Sequence, residues 1–226
     1  MIKAKLMRLA TCCCLTRLLV FNVFLTAIVF GVATVGLAQE NQSVGLKTAD
    51  GVLFVWNRPG LHFTLSIKGK DIVPANDPDH IFFTVDGVIL QIQSLPISNF
   101  APDAKRDKLD DKSILAAHRD WESKFLETEL LKSKLTVKSS NEKLNNSEVL
   151  VWQFDLPAAF RNPDASGQVY VTMVAGDFLI LLNSVLSPSV SEAQARKFLL
   201  STMSTLKVSA EPFDIKKLQE ELRKGP

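Results

Sequence analysis

Asp86-Gly87 stands between two apolar runs, residues 81–85 and 88–92, and leaves the chain little freedom there. An Asp-Gly pair supplies the positive φ angles of a two-residue hairpin turn, so the two runs fold back on each other as antiparallel strands. A second hairpin is predicted just before it. Residues 52–56 form a short apolar run of strand length, and Asn57-Arg58-Pro59-Gly60 has turn chemistry. Leu61, Phe63, Leu65 and Ile67 then alternate with His62, Thr64, Ser66 and Lys68. Period two means one buried face and one polar face, which places His62 in solvent.

The second half continues in the same vein. A connector over 101–111 carries charges of alternating sign and leads into a helix with Ile114, His118, Trp121 and Phe125 on one face. Arg119, Asp120, Glu122 and Lys124 fall largely elsewhere, and the helix is expected to end near 131–134. Asn141, Asn145 and Asn146 mark a loop. Leu150, Trp152, Phe154 and Leu156 then alternate, and residues 168–175 and 178–185 form a hairpin around Gly176-Asp177. Ser189 and Glu192 have the spacing of a capping box at a helix start. Ala195, Phe198, Leu199, Met203 and Leu206 give that helix an apolar stripe, and after Pro212 the residues Ile215, Leu218 and Leu222 predict a short amphipathic tail. Residues 39–44 read as polar and loose. Trp56, Trp121 and Trp152 sit in periodic apolar segments, the pattern of core residues. Strands joined by tight turns, with helices between runs of strands, predict an α+β fold. Its antiparallel sheet should have about six to seven strands with helices packed on it.

The run Asp177-Phe178-Leu179-Ile180-Leu181-Leu182-Asn183, the Ser189–Glu192 spacing, and Phe198-Leu199-Leu200-Ser201-Thr202-Met203-Ser204-Thr205-Leu206 together resemble the end of Mog1/PsbP-like domains. In that family a long last hairpin leads into a helix that closes an α/β/α sandwich. The resemblance covers roughly 50–207 in element order and 168–207 in local pattern. It implies a domain that binds partners or assists assembly, with no common catalytic residues, and it assigns no role to any numbered position here.

Lys3, Lys5, Arg8 and Arg17 precede an apolar run at 18–35, no acidic residue occurs before Glu40, and Gly36-Leu37-Ala38 follows. A basic start, an apolar middle and a small-residue exit make a secretory signal. Residues 18–38 also match the roughly 20 residues of a membrane-spanning helix, so the leader is either cleaved, after Ala38 or Ala33, or kept as an anchor. The small-residue exit favours cleavage. Both readings export the remainder, to a periplasm or the medium. The expected organisation is a leader at 1–38, one exported domain at 39–210 and an amphipathic tail at 211–226.

All three cysteines, Cys12, Cys13 and Cys14, lie in the leader, which excludes disulfides, thiol nucleophiles and thiolate metal sites from the exported part. Setting aside the four basic leader residues leaves 22 Lys and Arg against 24 Asp and Glu, a balance of −2. A nearly neutral domain has no electrostatic footprint for nucleic acid. Its only membrane contact would be through 18–38, if retained.

No nucleophile elbow, phosphate loop, zinc-protease motif or dinucleotide fingerprint occurs, and no cofactor is implied. His118 lies on the apolar face of its helix and reads as a core residue. Asn76-Asp77-Pro78-Asp79-His80 gathers two carboxylates and an imidazole, yet matches no calcium loop, so no metal site is assigned. The connector at 157–167 is longer than the usual four to six residues and carries Phe160 beside Arg161, a pair enriched at binding hot spots. These two are the candidate contact residues for a partner protein or small ligand. The rival reading of Phe160 is a plug folded back onto the sheet edge.

The leading functional expectation is a non-catalytic exported binding domain. The alternatives are a carboxylate-based hydrolase and a membrane-tethered structural component of the envelope. Because the exported part lacks cysteine, its melting temperature is expected to be the same with and without reductant; a difference on thermal denaturation would contradict the leader assignment.

Overall fold

The computed structural model describes residues 42–75, 81–101 and 109–224. The leader, the Asn76–His80 segment and most of the charged connector lie outside them.

Eleven strands among the described residues form two antiparallel sheets. The smaller contains β1 (Gln42–Lys47), β2 (Gly51–Arg58), β3 (Leu61–Lys68) and β11 (Lys207–Ser209), in the order 1-2-3-11. The larger contains β4 (Ile72–Pro74), β5 (Ile81–Val85), β6 (Val88–Pro96), β7 (Val137–Leu144), β8 (Ser147–Asp155), β9 (Gly167–Ala175) and β10 (Phe178–Leu186). Its order is 4-5-6-10-9-8-7. Three helices follow in chain order, α1 (Asp111–Phe125), α2 (Glu192–Met203) and α3 (Ile215–Lys224). The fold is therefore α+β, as the element order requires. No helix among the described residues is long and apolar enough to cross a membrane.

The central strands of the larger sheet are apolar on both faces, so each face needs a cover. On one face Val149, Val151, Val169, Val171, Ile180 and Leu182 pack with Phe54, Phe63 and Leu65 of the smaller sheet and with Ala195, Leu199 and Met203 of α2. On the other, Leu150, Trp152, Phe154, Tyr170, Leu179 and Leu181 pack under Ile114 and Leu115 of α1. Edge strand β7 is tied to both layers through alternate residues. Ser139 accepts from Arg119 of α1 at 3.0 Å, while Ser140 (3.1 Å) and Glu142 accept from Arg196 of α2.

Several local expectations change. One sheet becomes two, because β2 and β3 pair with β1 and β11 rather than with the strands of the second hairpin. Residues 42–44, read as loose, belong to β1, and Asn141 belongs to β7, where the loop was expected. The turn is Asn145-Asn146 alone, both at positive φ (51° and 68°). Asparagine tolerates that region, which is why the hairpin closes there. Helix α2 is capped by Ser191, whose Oγ accepts from the Gln194 N–H at 3.3 Å, while Ser189 bonds instead to Ser187 at 2.9 Å.

The supposedly solvated face of β3 is covered. His62 is only 8% exposed, and Ser209 of β11 pairs opposite it. The chain then returns to Asn57, the cross-strand neighbour of His62. There the Asn57 amide donates to the Phe213 carbonyl at 2.8 Å and accepts from the Phe213 N–H at 2.9 Å. Period two is silent about such a strap, because a polar face reads the same under water or under another segment.

The Asp86-Gly87 turn forms as expected, with φ of 48° and 83°. A Cβ on Gly87 would meet nothing within 4 Å, so substitution there acts through the backbone alone. Gly87→Val is expected to destabilise the protein by roughly 1–3 kcal/mol, because a β-branched residue at positive φ is strained. Chemical denaturation checks this, and an unchanged midpoint would refute the assignment.

Candidate functional site

Helix α1 begins at Asp110, whose carboxylate accepts from the Ser113 N–H at 2.7 Å and is held below the usual range by that bond. The helix continues past Phe125 as one wider turn, Leu126–Leu130, and ends before Lys132, which has a positive φ of 49°. Its buried stripe is Ile114, Leu115, His118, Glu122 and Leu126, turned slightly from the expected Ile114–His118–Trp121–Phe125 line. Trp121 and Phe125 sit at the margin, stacked on each other at 6.5 Å. Glu122, expected off the apolar face, is only 8% exposed. Glu122 lies seven residues after Leu115 and four before Leu126, so it shares their side of the helix whatever its chemistry.

His118 is fully buried in a box of rings. Phe100 lies 5.1 Å away, Trp121 6.2 Å and Trp152 6.4 Å, centroid to centroid. Among the described residues neither imidazole nitrogen has a hydrogen-bond partner, and the Trp152 Nε1–H has none either. Trp152 stacks flat on Tyr170, its cross-strand neighbour, at 3.9 Å and 5°. The Tyr170 hydroxyl donates to Gln168 Oε1. Burial pushes the His118 imidazole down to about 4 and the Glu122 carboxyl up to about 7, because a low-dielectric surrounding disfavours either charge. His118 is thus a core residue, as its place on the helix implied. An imidazole with no exposed surface cannot meet a substrate.

The surface of the same layer holds the loop at 157–167. Its stems continue the ladder, with Leu156 N–H donating to Ser166 O at 2.8 Å and Ser166 N–H to Leu186 O at 2.7 Å. Ala158–Phe160 makes a single tight turn. Asn162 and Ala165 then bridge to each other, and Asn162 Oδ1 accepts from the Asp164 N–H at 2.7 Å. The loop is therefore braced by its own bonds. Phe160 is half-buried against the α1-side cluster, and Arg161 is exposed, its Nε donating to the Leu156 carbonyl at 2.6 Å. The two are adjacent in the chain and differ in environment: the ring faces the core layer and the guanidinium is at the surface.

Among the described residues no three His, Cys, Asp or Glu side chains come close enough to hold a metal ion. Asp77, Asp79 and His80 lie outside the described residues. A further feature escaped the sequence pattern. Arg58, read as part of a turn, lies with its guanidinium carbon 4.6 Å from the centroid of the Trp56 ring. The signal was the i, i+2 spacing of Trp56 and Arg58, which puts both on one face of β2.

No protein-family model matches the sequence, and no curated protein matches it at a significant level.

His118 and Glu122 give opposite pH dependences. The carboxyl is raised in the fold, so its contribution is fully present below about 4.5 and is lost as the pH rises through about 7. The imidazole is depressed, so its contribution is fully present above about 6.5 and is lost as the pH falls through about 4. Glu122→Gln removes the first slope. Its stability relative to the native protein is expected to be near parity at pH 4 and to rise to on the order of 2–3 kcal/mol at pH 8. Urea titrations across that range check it; a difference independent of pH would show that Glu122 is not held neutral.

Proposed function

We propose that this chain is an exported, non-catalytic domain that binds a partner protein or a small ligand, in the manner of an accessory that assists assembly in the cell envelope. The observation that carries the reading is the braced loop at 157–167, which presents the exposed Arg161 beside the half-buried Phe160. A loop ordered by its own bonds costs little further entropy on docking. Arg161 has a fork of donors for a carboxylate or carbonyl, and its terminal amino groups bond to none of the described residues. The titratable groups with the largest displacements, His118 and Glu122, are enclosed beneath α1, which favours binding over acid–base catalysis.

Two sequence features support the same reading. The basic-apolar-small leader argues for export, to the periplasm or the medium, with membrane contact only through 18–38 if that segment is retained. The long hairpin β9–β10 followed by α2 accords with a Mog1/PsbP-like domain, whose members mostly bind partners. An intact mass equal to residues 39–226 on the exported protein would support cleavage, and a mass including 1–38 would make the protein membrane-tethered.

Phe160→Ala and Arg161→Glu test the site. Both are expected to abolish capture of a partner by the full chain; Arg161→Glu should leave the melting temperature within a few degrees, since a surface substitution usually costs less than about 0.5 kcal/mol, whereas Phe160→Ala removes a half-buried ring and should lower it moderately. A fall in stability for Phe160→Ala with capture intact would make Phe160 a plug on the sheet edge and remove the loop's claim.

A further inference from the structure

The two helices that pack on the larger sheet are held to it unequally. Of the eight buried side-chain nitrogen and oxygen atoms that have no hydrogen-bond partner among the described residues, three belong to α1: both His118 nitrogens and the Ser123 hydroxyl. A fourth, the Trp152 Nε1–H, lies beneath His118, with the two rings 6.4 Å apart. The Glu122 carboxyl is buried in the same layer. None of the eight is on α2. A buried polar group without a partner forfeits the bonds it made to water and regains them when its layer opens. Helix α1 therefore sits on its face at a cost that α2 does not bear.

The polar ties differ in the same direction. Helix α2 is clasped by Arg196, which donates to Ser140 at 3.1 Å and to Glu142. The turn after it is fixed twice: Thr205 Oγ1 accepts from the Ser66 N–H of β3 at 2.8 Å, and the Ser204 carbonyl accepts from Asn145 Nδ2 at 2.7 Å. Helix α1 is tied at its rim, by Arg119 to Ser139 at 3.0 Å and by Lys112 to Glu148 at 3.8 Å, a long and partly exposed pair of little weight. The backbone adds a second difference. Helix α2 runs on into β11, which pairs with β3, so it cannot lift without breaking a ladder. The residues flanking α1 and its last wide turn, 109–110 and 131–136, belong to neither sheet. In that wide turn the Leu131 N–H donates to the Leu126 carbonyl at 2.8 Å, and Lys132 follows at a φ of 49°. A turn of this kind bends a helix at a defined point.

We infer that α1 is a lid. Residues 111–125 lift from the larger sheet as a unit, hinged at the wide turn, while both sheets and α2 stay assembled. Burial of Ile114 and Leu115 holds the closed state. The open state hydrates His118, Glu122, Ser123 and the Trp152 indole, and bares the stacked Trp152 and Tyr170 in the cluster that Phe160 packs against. The lid operates whether or not the loop at 157–167 is a contact site.

Hydrogen exchange of the full chain, followed peptide by peptide at pH 6, reads the opening directly. That pH lies between the values near which His118 and Glu122 change charge, about 4 and about 7. Amides of 111–125 are expected to exchange at least about tenfold faster than those of α2 and β10, after correction for intrinsic rates. Arg196→Ala breaks a contact that the open lid retains, so it should speed exchange in α2 and leave α1 unchanged. His118→Leu removes two unmet nitrogens and should slow exchange in α1 at least about tenfold. Equal protection of α1 and α2 would overturn the proposal. So would Arg196→Ala speeding both helices alike, since α1 would then open only with the whole fold. Unchanged exchange of α1 in His118→Leu would overturn it too, because the unmet imidazole would not be what loosens the helix. Should His118→Leu not fold, the native protein and Arg196→Ala still decide.

Discussion

Burial of both faces of the seven-stranded sheet is the constraint on which the rest of this structure depends. Strands β8, β9 and β10 put large apolar side chains on each side, Val151, Val171 and Leu182 one way and Trp152, Tyr170 and Leu181 the other. At about 25 cal/mol per Å² of apolar surface removed from water, neither face can be left wet. One face takes the four-stranded sheet together with α2, and the other takes α1. The chain order follows from this need. The first hairpin, which precedes the larger sheet in the chain, ends as part of one cover, and the helix at the middle of the sequence becomes the other.

The covers are joined to the sheet by few polar links, and these sit at its margin. Arg119 and Arg196 clasp neighbouring residues of β7 from opposite sides, while Asn57 holds Phe213 and so draws the C-terminal segment over the smaller sheet. Beneath α1 the situation is different. His118, Glu122 and the Trp152 indole are enclosed, with no partner among the described residues for either His118 nitrogen or for the indole N–H. Their cost is carried by the aromatic packing around them, above all the face-to-face contact of Trp152 with Tyr170. Two ionisable groups on one helix face, each pushed by burial toward its neutral form, make that layer sensitive to acid and to base in opposite directions, so that their pH dependences partly offset each other between about pH 4.5 and 6.5.

Two arginines take no part in these links. Arg161 stands on a loop stiffened by its own hydrogen bonds, and Arg58 stands at the closing end of a hairpin, stacked on an aromatic ring. Both are single cations next to apolar surface in a domain of nearly balanced charge. For the partner contact proposed at 157–167, recognition by shape helped by one directed charge fits that arrangement better than long-range attraction does.

What the sequence by itself determined is whatever depends on near neighbours. Asp86-Gly87 forces its hairpin because φ angles are local, and alternation in 61–67 and 150–156 sets which residues share a face because the strand period is two. The α+β class follows from the order of those elements, and the core position of His118 from the helix period. The tertiary structure alone decided the partners. Nothing within 52–68 says that this hairpin joins β1 and β11 in a second sheet instead of extending the first. Nothing local says that the polar face of β3 is strapped by residues near 213, or that Glu122 is drawn under α1 by Leu115 and Leu126. The Phe160-Arg161 pair was legible as a candidate because loop length and residue type are local quantities. The stacking of Arg58 on Trp56 without an ion pair among the described residues was not, because a charge's partners depend on what the fold brings near it.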